Sequence, residues 1–503
     1  MITTTDPRTG LSAETGLQST SAAEVRFVVA SAEAAFAEVS RLGRTWRADL
    51  LMELAQALEE NREHLVLLAE SETGLTSVRL NGELTRCIVQ FELFAAAITA
   101  GGYLEAAIDH AADTRLGPAP DIRRMLVPLG VVAVFGSSNF PFAFSVPGGD
   151  TASALAAGNT VVLKAHSAHP LTSQASFEAL LEGARKAGAP DSLLGIVFGQ
   201  QAGVDLVGDP GVTAVGFTGS LAAGRRLLDV ANSRENPIPF YGELSSINSL
   251  AILPGAIRDR SEPIARGLAD SVMGSAGQLC TKPGVAFIPS GDDGDDFMRT
   301  LAGHFADAET AVALNDRVQD SYESARIRLE GQAAVRLIEQ VAWSDRPGSH
   351  VQPTLLEVDA SQLGRTTVEE AFGPLLICAR YTGIAELLEA IPSIPSSLTA
   401  TIHANDDDSA DAKLLGDTFL PRAGRIVYNG YPTGVRVSWA QNHGGPWPAT
   451  NTLHTSVGVT SMRRFLRPVA WQNAPHQVLP AELRDGTISI PRLIDGRLVV
   501  ATE

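Results

Sequence analysis

Residues 131–164 read VVAVFGSSNFPFAFSVPGGDTASALAAGNTVVLK, and this stretch decides the fold. The apolar, β-branched run at 131–135 is of strand length and is closed by Gly136. Residues 144–157 have helical length and small apolar side chains, and a second apolar strand follows at 160–163. Strand, helix and strand at this spacing predict parallel strands joined by a crossover helix. The pattern repeats downstream: strands are expected at 195–198 and 213–217, with helices at 172–187, 202–207 and 221–231. A second set opens with a strand at 249–253, a helix at 263–276 and a strand at 285–288, and continues with strands at 375–381, 398–403 and 425–428. The expected fold class is therefore α/β, with two doubly wound units whose parallel sheets are covered on both faces. Ahead of them, helices are expected at 21–40, 46–72 and 84–107. Residues 113–124, with the turn-like Pro118-Ala119-Pro120-Asp121, form either a linker or a hairpin arm, and two strands are expected near the end, at 488–491 and 498–501.

Composition narrows the function. The 503 residues include 45% hydrophobic and 19% charged side chains, enough to build large buried cores. Lys and Arg number 39 against 57 Asp and Glu, for a net charge of −18, which repels phosphate backbones and argues against a nucleic-acid partner. Three cysteines do not make a disulfide framework and suit a reducing cytoplasm. The N-terminal residues show no targeting pattern and no run of about 20 apolar residues occurs, so the expectation is a cytoplasmic protein without a membrane span.

The chain has no GxGxxG, Walker A, GxSxG, HExxH or CxxC, and its ten histidines show no metal-ligand spacing, so no metal is expected. His166 and His169, just after a strand, suit a loop or packing role. Cys280, in Gly277-Gln278-Leu279-Cys280-Thr281-Lys282-Pro283-Gly284, sits between a helix and a Pro-Gly break where a carbonyl could approach it; position alone leaves a buried structural thiol as the commoner alternative. Cys87 and Cys378 lie in apolar runs and belong to the core. Asn139, in Ser137-Ser138-Asn139-Phe140-Pro141, follows a strand and either donates to an oxyanion or caps its own turn. Phe217-Thr218-Gly219-Ser220 leads into a helix N-terminus, a natural place for phosphate and also an ordinary connection. Lys164 closes a strand, where it either reaches a ribose or phosphate or is simply solvated. Glu243, in Tyr241-Gly242-Glu243-Leu244, is either a general base or a loop carboxylate.

In this order, Asn-Phe-Pro, Lys164, Phe-Thr-Gly-Ser, Glu243, Gly-Gln-Leu-Cys and Glu369-Glu370-Ala371-Phe372-Gly373-Pro374 resemble the aldehyde dehydrogenase superfamily from the first helices almost to the C-terminus. Lys164 to Pro170, Ser246-Ile247-Asn248, Pro432-Thr433-Gly434-Val435, His443-Gly444-Gly445-Pro446 and Arg464 to Pro468 are similar to the α-ketoglutarate semialdehyde (2,5-dioxovalerate) dehydrogenases. Several of these features are shared with NADP-dependent long-chain aldehyde dehydrogenases. The resemblance implies NAD(P)-dependent oxidation of an aldehyde to an acid, with Cys280 as nucleophile, Glu243 as general base, and Asn139 with the Cys280 backbone N–H as oxyanion donors. It further implies that Phe135, Gly136, Ser137 and Ser138 line the dinucleotide, that Lys164 reaches the adenosine ribose, and that Gly219 and Ser220 meet the pyrophosphate. Glu370 would hold the nicotinamide ribose, with Phe372 beside it. Ser167 stands where many NAD-preferring relatives have glutamate, which removes a repulsion and favours NADP while leaving NAD usable.

Arg436 and His443 are the candidates to bind the distal end of the substrate, each also suited to a surface or interface contact. Two residues depart from the family pattern: Ser245, where glycine is usual beside the base, and Ser249, where proline is common. The implied organisation is a cofactor domain of residues 1–110 and 128–242, a catalytic domain of 243–469, and an oligomerisation element of 111–127 with 470–503 that pairs strands in a homodimer or homotetramer. A non-catalytic relative and a cofactor-free thiol esterase are the competing readings.

Overall fold

The computed structural model describes residues 1–343, 346–366, 368–486 and 490–500. Its first sheet is built from β1 (Val131–Phe135), β2 (Thr160–Lys164), β3 (Leu194–Val197), β4 (Val212–Thr218) and β5 (Phe240–Glu243). These run parallel in the order β5-β4-β1-β2-β3. Alternation along β1 explains why both faces are covered. Val131, Ala133 and Phe135 pack with Val25, Val29, Leu206 and Leu227 from three helices, whereas Val132 and Val134 pack with Leu54, Phe91, Leu155 and Leu180 from four others. The chain moves from β1 outward to β3, then returns to β4 on the opposite side of β1. That reversal leaves a crevice beyond the carboxyl ends of β1 and β4.

The second sheet comprises β6 (Asn248–Ile252), β7 (Pro283–Pro289), β8 (Arg336–Gln340), β9 (Thr354–Asp359), β10 (Leu375–Tyr381), β11 (Ser397–His403) and β12 (Ala423–Tyr428), in the order β8-β9-β10-β7-β6-β11-β12. Only the edge strand β8 runs antiparallel to its neighbour. Residues 244–247 alone separate β5 from β6, so the chain leaves the carboxyl end of one sheet and enters the amino end of the next. A third sheet joins Ile122–Pro128 to Leu466–Gln472, in register from Pro128 opposite Leu466 to Ile122 opposite Gln472. Ala107–Asp109, Arg492–Ile494 and Arg497–Val499 complete it.

Several elements differ from the sequence expectation. The helix expected at 46–72 divides at Asn61 (φ −98°, ψ 7°) into Arg44–Glu60 and Arg62–Thr73. The one expected at 84–107 runs Ser77–Ala100, because the Thr76 side chain caps its start and Gly101 ends it in a left-handed conformation. Residues 144–148, expected to be helical, are turns: Pro147 precedes Gly148 and Gly149, and the helix starts only at Gly149. The helix placed at 263–276 begins instead at Pro254, kinks at Arg260 ahead of Pro263 and stops at Met273. Residues 112–119 are a hairpin, Ala112–Thr114 with Gly117–Ala119, which decides between the two alternatives. Of the strands expected at 488–491 and 498–501, Ile488, Ser489 and Ala501 lie outside the described residues; the described strands there are Arg492–Ile494 and Arg497–Val499. Cys87 and Cys378 are buried in the core as expected. No helix among the described residues is long and apolar enough to cross a membrane.

One buried ion pair ties the C-terminal segment to the first sheet. Arg464, 2% exposed, donates to Asp150 Oδ1 at 2.6 Å in the first turn of the helix Gly149–Ala157. Removing one partner of such a pair leaves a buried charge without compensation. Arg464→Met is therefore expected to lower stability by about 3–5 kcal/mol, read from urea denaturation, and Arg464→Met with Asp150→Leu to recover much of that loss.

Candidate active site

The loop before β7 carries Cys280. Ser275, Ala276 and Gly277 hold φ of 53°, 56° and 66°, a run of left-handed residues that side chains other than glycine adopt at a cost. Gly277 is required on a second count: a Cβ there would lie 2.3 Å from the carbonyl carbon of Gly373, so the cysteine loop and the Phe372-Gly373-Pro374 turn meet backbone to backbone. Side chains then fix the loop. Asn248, at the amino end of β6, donates from Nδ2 to the carbonyls of Cys280 at 2.8 Å and Lys282 at 2.9 Å, while Lys282 Nζ donates to Leu375 O at 2.7 Å. Gln278 Oε1 accepts from Leu314 N at 2.9 Å, and Gln278 O accepts from Asn139 Nδ2 at 3.0 Å. Asn139 is thus held beside the cysteine loop with its second amide hydrogen free for a ligand.

Cys280 Sγ lies 3.7 Å from His443 Nε2, which lies 3.1 Å from Glu243 Oε1. Ser456 Oγ donates to the other Glu243 oxygen at 2.8 Å. Glu243 and His443 are both almost fully buried, and Cys280 is half-buried. Burial works against the charged carboxylate of Glu243, yet His443 beside it and hydrogen bonds from His443, Ser456 and Cys280 hold its pKa below the usual value. An ionised carboxylate only accepts, so a proton of the 3.1 Å contact sits on His443 Nε2, while Nδ1 is buried without a partner. Burial first, and then the Glu243 charge, push the Cys280 thiol well above its ordinary value, so the resting group is a thiol whose hydrogen faces Glu243. Glu243, Cys280 and His443 are also the one group of three metal-capable side chains among the described residues, with donor atoms within 4.8 Å of one another. Their hydrogen bonds to each other account for that closeness, and His443 Nδ1 lacks the outer partner that normally orients a metal-bound imidazole.

Phe135 ends β1 and Gly136, Ser137 and Ser138 follow it at the crevice, and Gly219 with Ser220 does the same after β4. Ser220 Oγ caps the helix Leu221–Ser233, whose free N–H groups face that end of the sheet. Ser137 Oγ is buried with no partner. Lys164, half-buried at the end of β2, has no anion beside it among the described residues, and burial brings its pKa down to about 8. Ser167 is exposed in the turn that follows. An orphaned hydroxyl, an unneutralised ammonium and a helix N-terminus fit an anionic dinucleotide. On the far wall, Glu370 meets the Ser245 side chain and the Ser246 amide; burial nonetheless pushes its pKa up to about 7. Phe372 packs against the core of the first unit.

The aldehyde dehydrogenase family model matches residues 2–447. The chain belongs to the aldehyde dehydrogenase family. It is 39% identical to an alpha-ketoglutaric semialdehyde dehydrogenase of Acinetobacter baylyi over 94% of this chain and 91% of that protein. Identity is 40% to alpha-ketoglutaric semialdehyde dehydrogenase 2 of Azospirillum brasilense, over 90% of this chain and 87% of that one. Among solved structures, an NADP-dependent enzyme of E. coli shares the fold, with a TM-score of 0.79 and 22% identity over 94% of both chains.

Within this aldehyde dehydrogenase the structure brings Cys280, Glu243 and Asn139 together, and adds His443 to them. Arg436 is not brought in: it lies on an exposed loop, where its backbone oxygen accepts from Gln441 Nε2 at 2.9 Å. Sequence reasoning missed the roles of Ser456, Asn248 and Gln278, which hold the reacting groups; His169, expected in a loop or packing role, is buried with Nε2 2.8 Å from the Ser137 carbonyl. Asn248 had a signal, since it ends the quoted Ser-Ile-Asn motif; Ser456 had none. Ser245, the departure beside the base, has an ordinary negative φ, and its hydroxyl faces Glu370.

Because burial and Glu243 both favour the neutral thiol, inactivation of the free enzyme by iodoacetamide should be slow at neutral pH and climb as pH rises. Glu243→Gln removes the negative charge beside Sγ and should move that rise to lower pH. A rise that stays put in the variant contradicts the electrostatic assignment.

Proposed function

We propose that this aldehyde dehydrogenase oxidises α-ketoglutarate semialdehyde to 2-oxoglutarate through a covalent intermediate on Cys280, using NADP in preference to NAD. The observation that carries the chemistry is the contact of Cys280, His443 and Glu243, with Asn139 held at the same loop. The semialdehyde follows from the likeness to the Acinetobacter and Azospirillum proteins.

Glu243 takes the thiol proton, and the thiolate then accepts the His443 Nε2–H bond that Glu243 gives up on becoming neutral. The thiolate attacks the aldehyde carbon. The oxygen that becomes anionic is met by the free Asn139 amide hydrogen and by the Cys280 backbone N–H; loss of one such donor typically costs roughly 3–4 kcal/mol of barrier. Nicotinamide, when bound, would supply the hydride acceptor, and loss of hydride leaves the acyl group on Cys280 as a thioester. Glu243 releases the thiol proton to solvent and, ionised again and steadied by Ser456, deprotonates the water that hydrolyses the thioester.

The dinucleotide would be held by Phe135, Gly136, Ser137, Ser138, Lys164, Gly219 and Ser220, with Glu370 and Phe372 on the nicotinamide side. Ser167 would face the 2′-phosphate as a donor. In this reading residues 1–110 and 128–242 form the cofactor domain and 243–469 the catalytic domain. Residues 111–127 and 470–503 would pair subunits of a cytoplasmic dimer or tetramer, a role favoured by the exposed apolar Leu493, Leu498 and Val499 on the outer strands of the third sheet.

Cys280→Ala should abolish formation of reduced cofactor, and full turnover in that variant overturns the nucleophile assignment. Glu243→Gln should slow the steady state by about 10²–10⁴-fold. Wild type assayed with NADP and NAD on α-ketoglutarate semialdehyde and on long-chain aldehydes should prefer the semialdehyde with NADP; a long-chain preference replaces the substrate reading.

A further inference from the structure

The helix Ser77–Ala100 carries polar residues where its packed face should be apolar. Arg79, Glu83, Arg86 and Gln90 fall at i, i+4, i+7 and i+11, a single stripe turned toward the segment 139–149. Glu83 and Gln90 are almost fully buried. Burying such groups is costly unless each has a task. Two of the tasks are plain. Arg79 donates to the carbonyl of Asn139 at 2.7 Å, and Glu83 Oε1 accepts the amides of Phe142 at 2.8 Å and Ala143 at 2.9 Å while its other oxygen lies 3.6 Å from Arg79. Gln90 packs at Gly149, where a Cβ would come within 2.5 Å of its Nε2.

Arg86 acts on the buried Glu83 only through its charge and, among the described residues, donates no hydrogen bond. Its guanidinium lies 5.1 Å from the centre of the Phe144 ring, its Nε is buried without a partner, and no carboxylate or carbonyl accepts from it among the described residues. Phe144 in turn lies 5.9 Å from the His443 ring, and His443 touches Cys280. A further arginine near this site, Arg425, is engaged, donating to Gly434 O at 2.8 Å and to Pro432 O.

We propose that Arg86 is the specificity residue of this site, binding the distal carboxylate of a short ω-oxo acid whose aldehyde end reaches Cys280. The proposal rests on the semialdehyde reading above. A five-carbon ω-oxo acid spans only about 5 Å from aldehyde carbon to carboxylate carbon, so its anchor has to be a neighbour of the reacting thiol. The row Cys280, His443, Phe144, Arg86 supplies one. Phe144 holds the planar cation from one face and leaves its N–H edge for a two-point grip on a carboxylate, which a neutral aldehyde cannot use. The same charge lies near enough to act on Cys280, where it opposes the upward push of burial and Glu243.

The test compares wild type, Arg86→Gln and Arg86→Lys on α-ketoglutarate semialdehyde and on pentanal, the uncharged aldehyde of the same length. In the Gln variant KM for the semialdehyde should rise roughly 10- to 100-fold with kcat within about threefold, as for lost binding rather than lost chemistry. The loss in kcat/KM for pentanal should be at least about tenfold smaller, and Lys should recover part of the semialdehyde affinity. Equal losses on both aldehydes would mean that Arg86 only supports the fold and overturn the assignment, as would an unchanged KM for the semialdehyde. Those outcomes leave the substrate reading intact if wild type prefers the semialdehyde. A wild type that does not prefer it to pentanal overturns both.

Discussion

The whole arrangement turns on keeping the Glu243 carboxylate ionised where water has almost no access. Burying such a charge costs several kcal/mol unless hydrogen bonds and a compensating partner replace the solvent. The protein supplies them from distant parts of the chain. β5 presents the carboxylate, His443 and Ser456 cover its two oxygens, and the Ser456 carbonyl lies against Arg464, whose guanidinium is bound by Asp150. Leu244 N donates to Ala449 O at 2.8 Å, pinning the same segment by its backbone. The base is thereby the point where the first sheet, the second sheet and the C-terminal segment are fastened to one another.

The cysteine is treated in the opposite way. Its loop is bent through three left-handed residues and pressed against Gly373, and Asn248 and Gln278 hold the strained shape from either side. The thiol is left under-solvated next to a negative charge, a setting that disfavours the thiolate until a base removes the proton. A carboxylate held down and a thiol held up within a few ångströms keep the proton on sulfur and the charge on Glu243 at rest, and the His443 Nε2–H can donate to whichever member carries the charge.

The strand pattern made most of the architecture legible. β1 and β10 match their apolar runs end for end, and β2, β3, β4, β6, β7, β11 and β12 agree within two residues; most of these are buried on both faces and leave little polar interruption to misread, while β3 and β12 are half-buried edge strands. The strands β8 and β9 and the short β5 were not foreseen. β8 is an antiparallel edge strand with exposed residues, and β5 is a four-residue run whose pairing comes from β4 rather than from its own composition. In the site, Cys280, Glu243 and Asn139 were legible as part of an ordered motif set. His443 was singled out as a candidate for the distal end of the substrate, and the fold turns its ring inward between thiol and carboxylate. The stripe containing Arg86 was hidden for a different reason. A polar residue every three or four positions looks like the wet side of a helix, and burial alone reveals that it is not.

The late position of Ser456 and Arg464 in the chain has a consequence for biosynthesis. Both reacting residues leave the ribosome well before the segment that covers Glu243, and at usual elongation rates the delay is on the order of ten seconds or more. During that interval Cys280 is an ordinary peptide thiol and Glu243 an ordinary solvated side chain. The groups that hold Glu243 ionised are thus the last part of the site to be made.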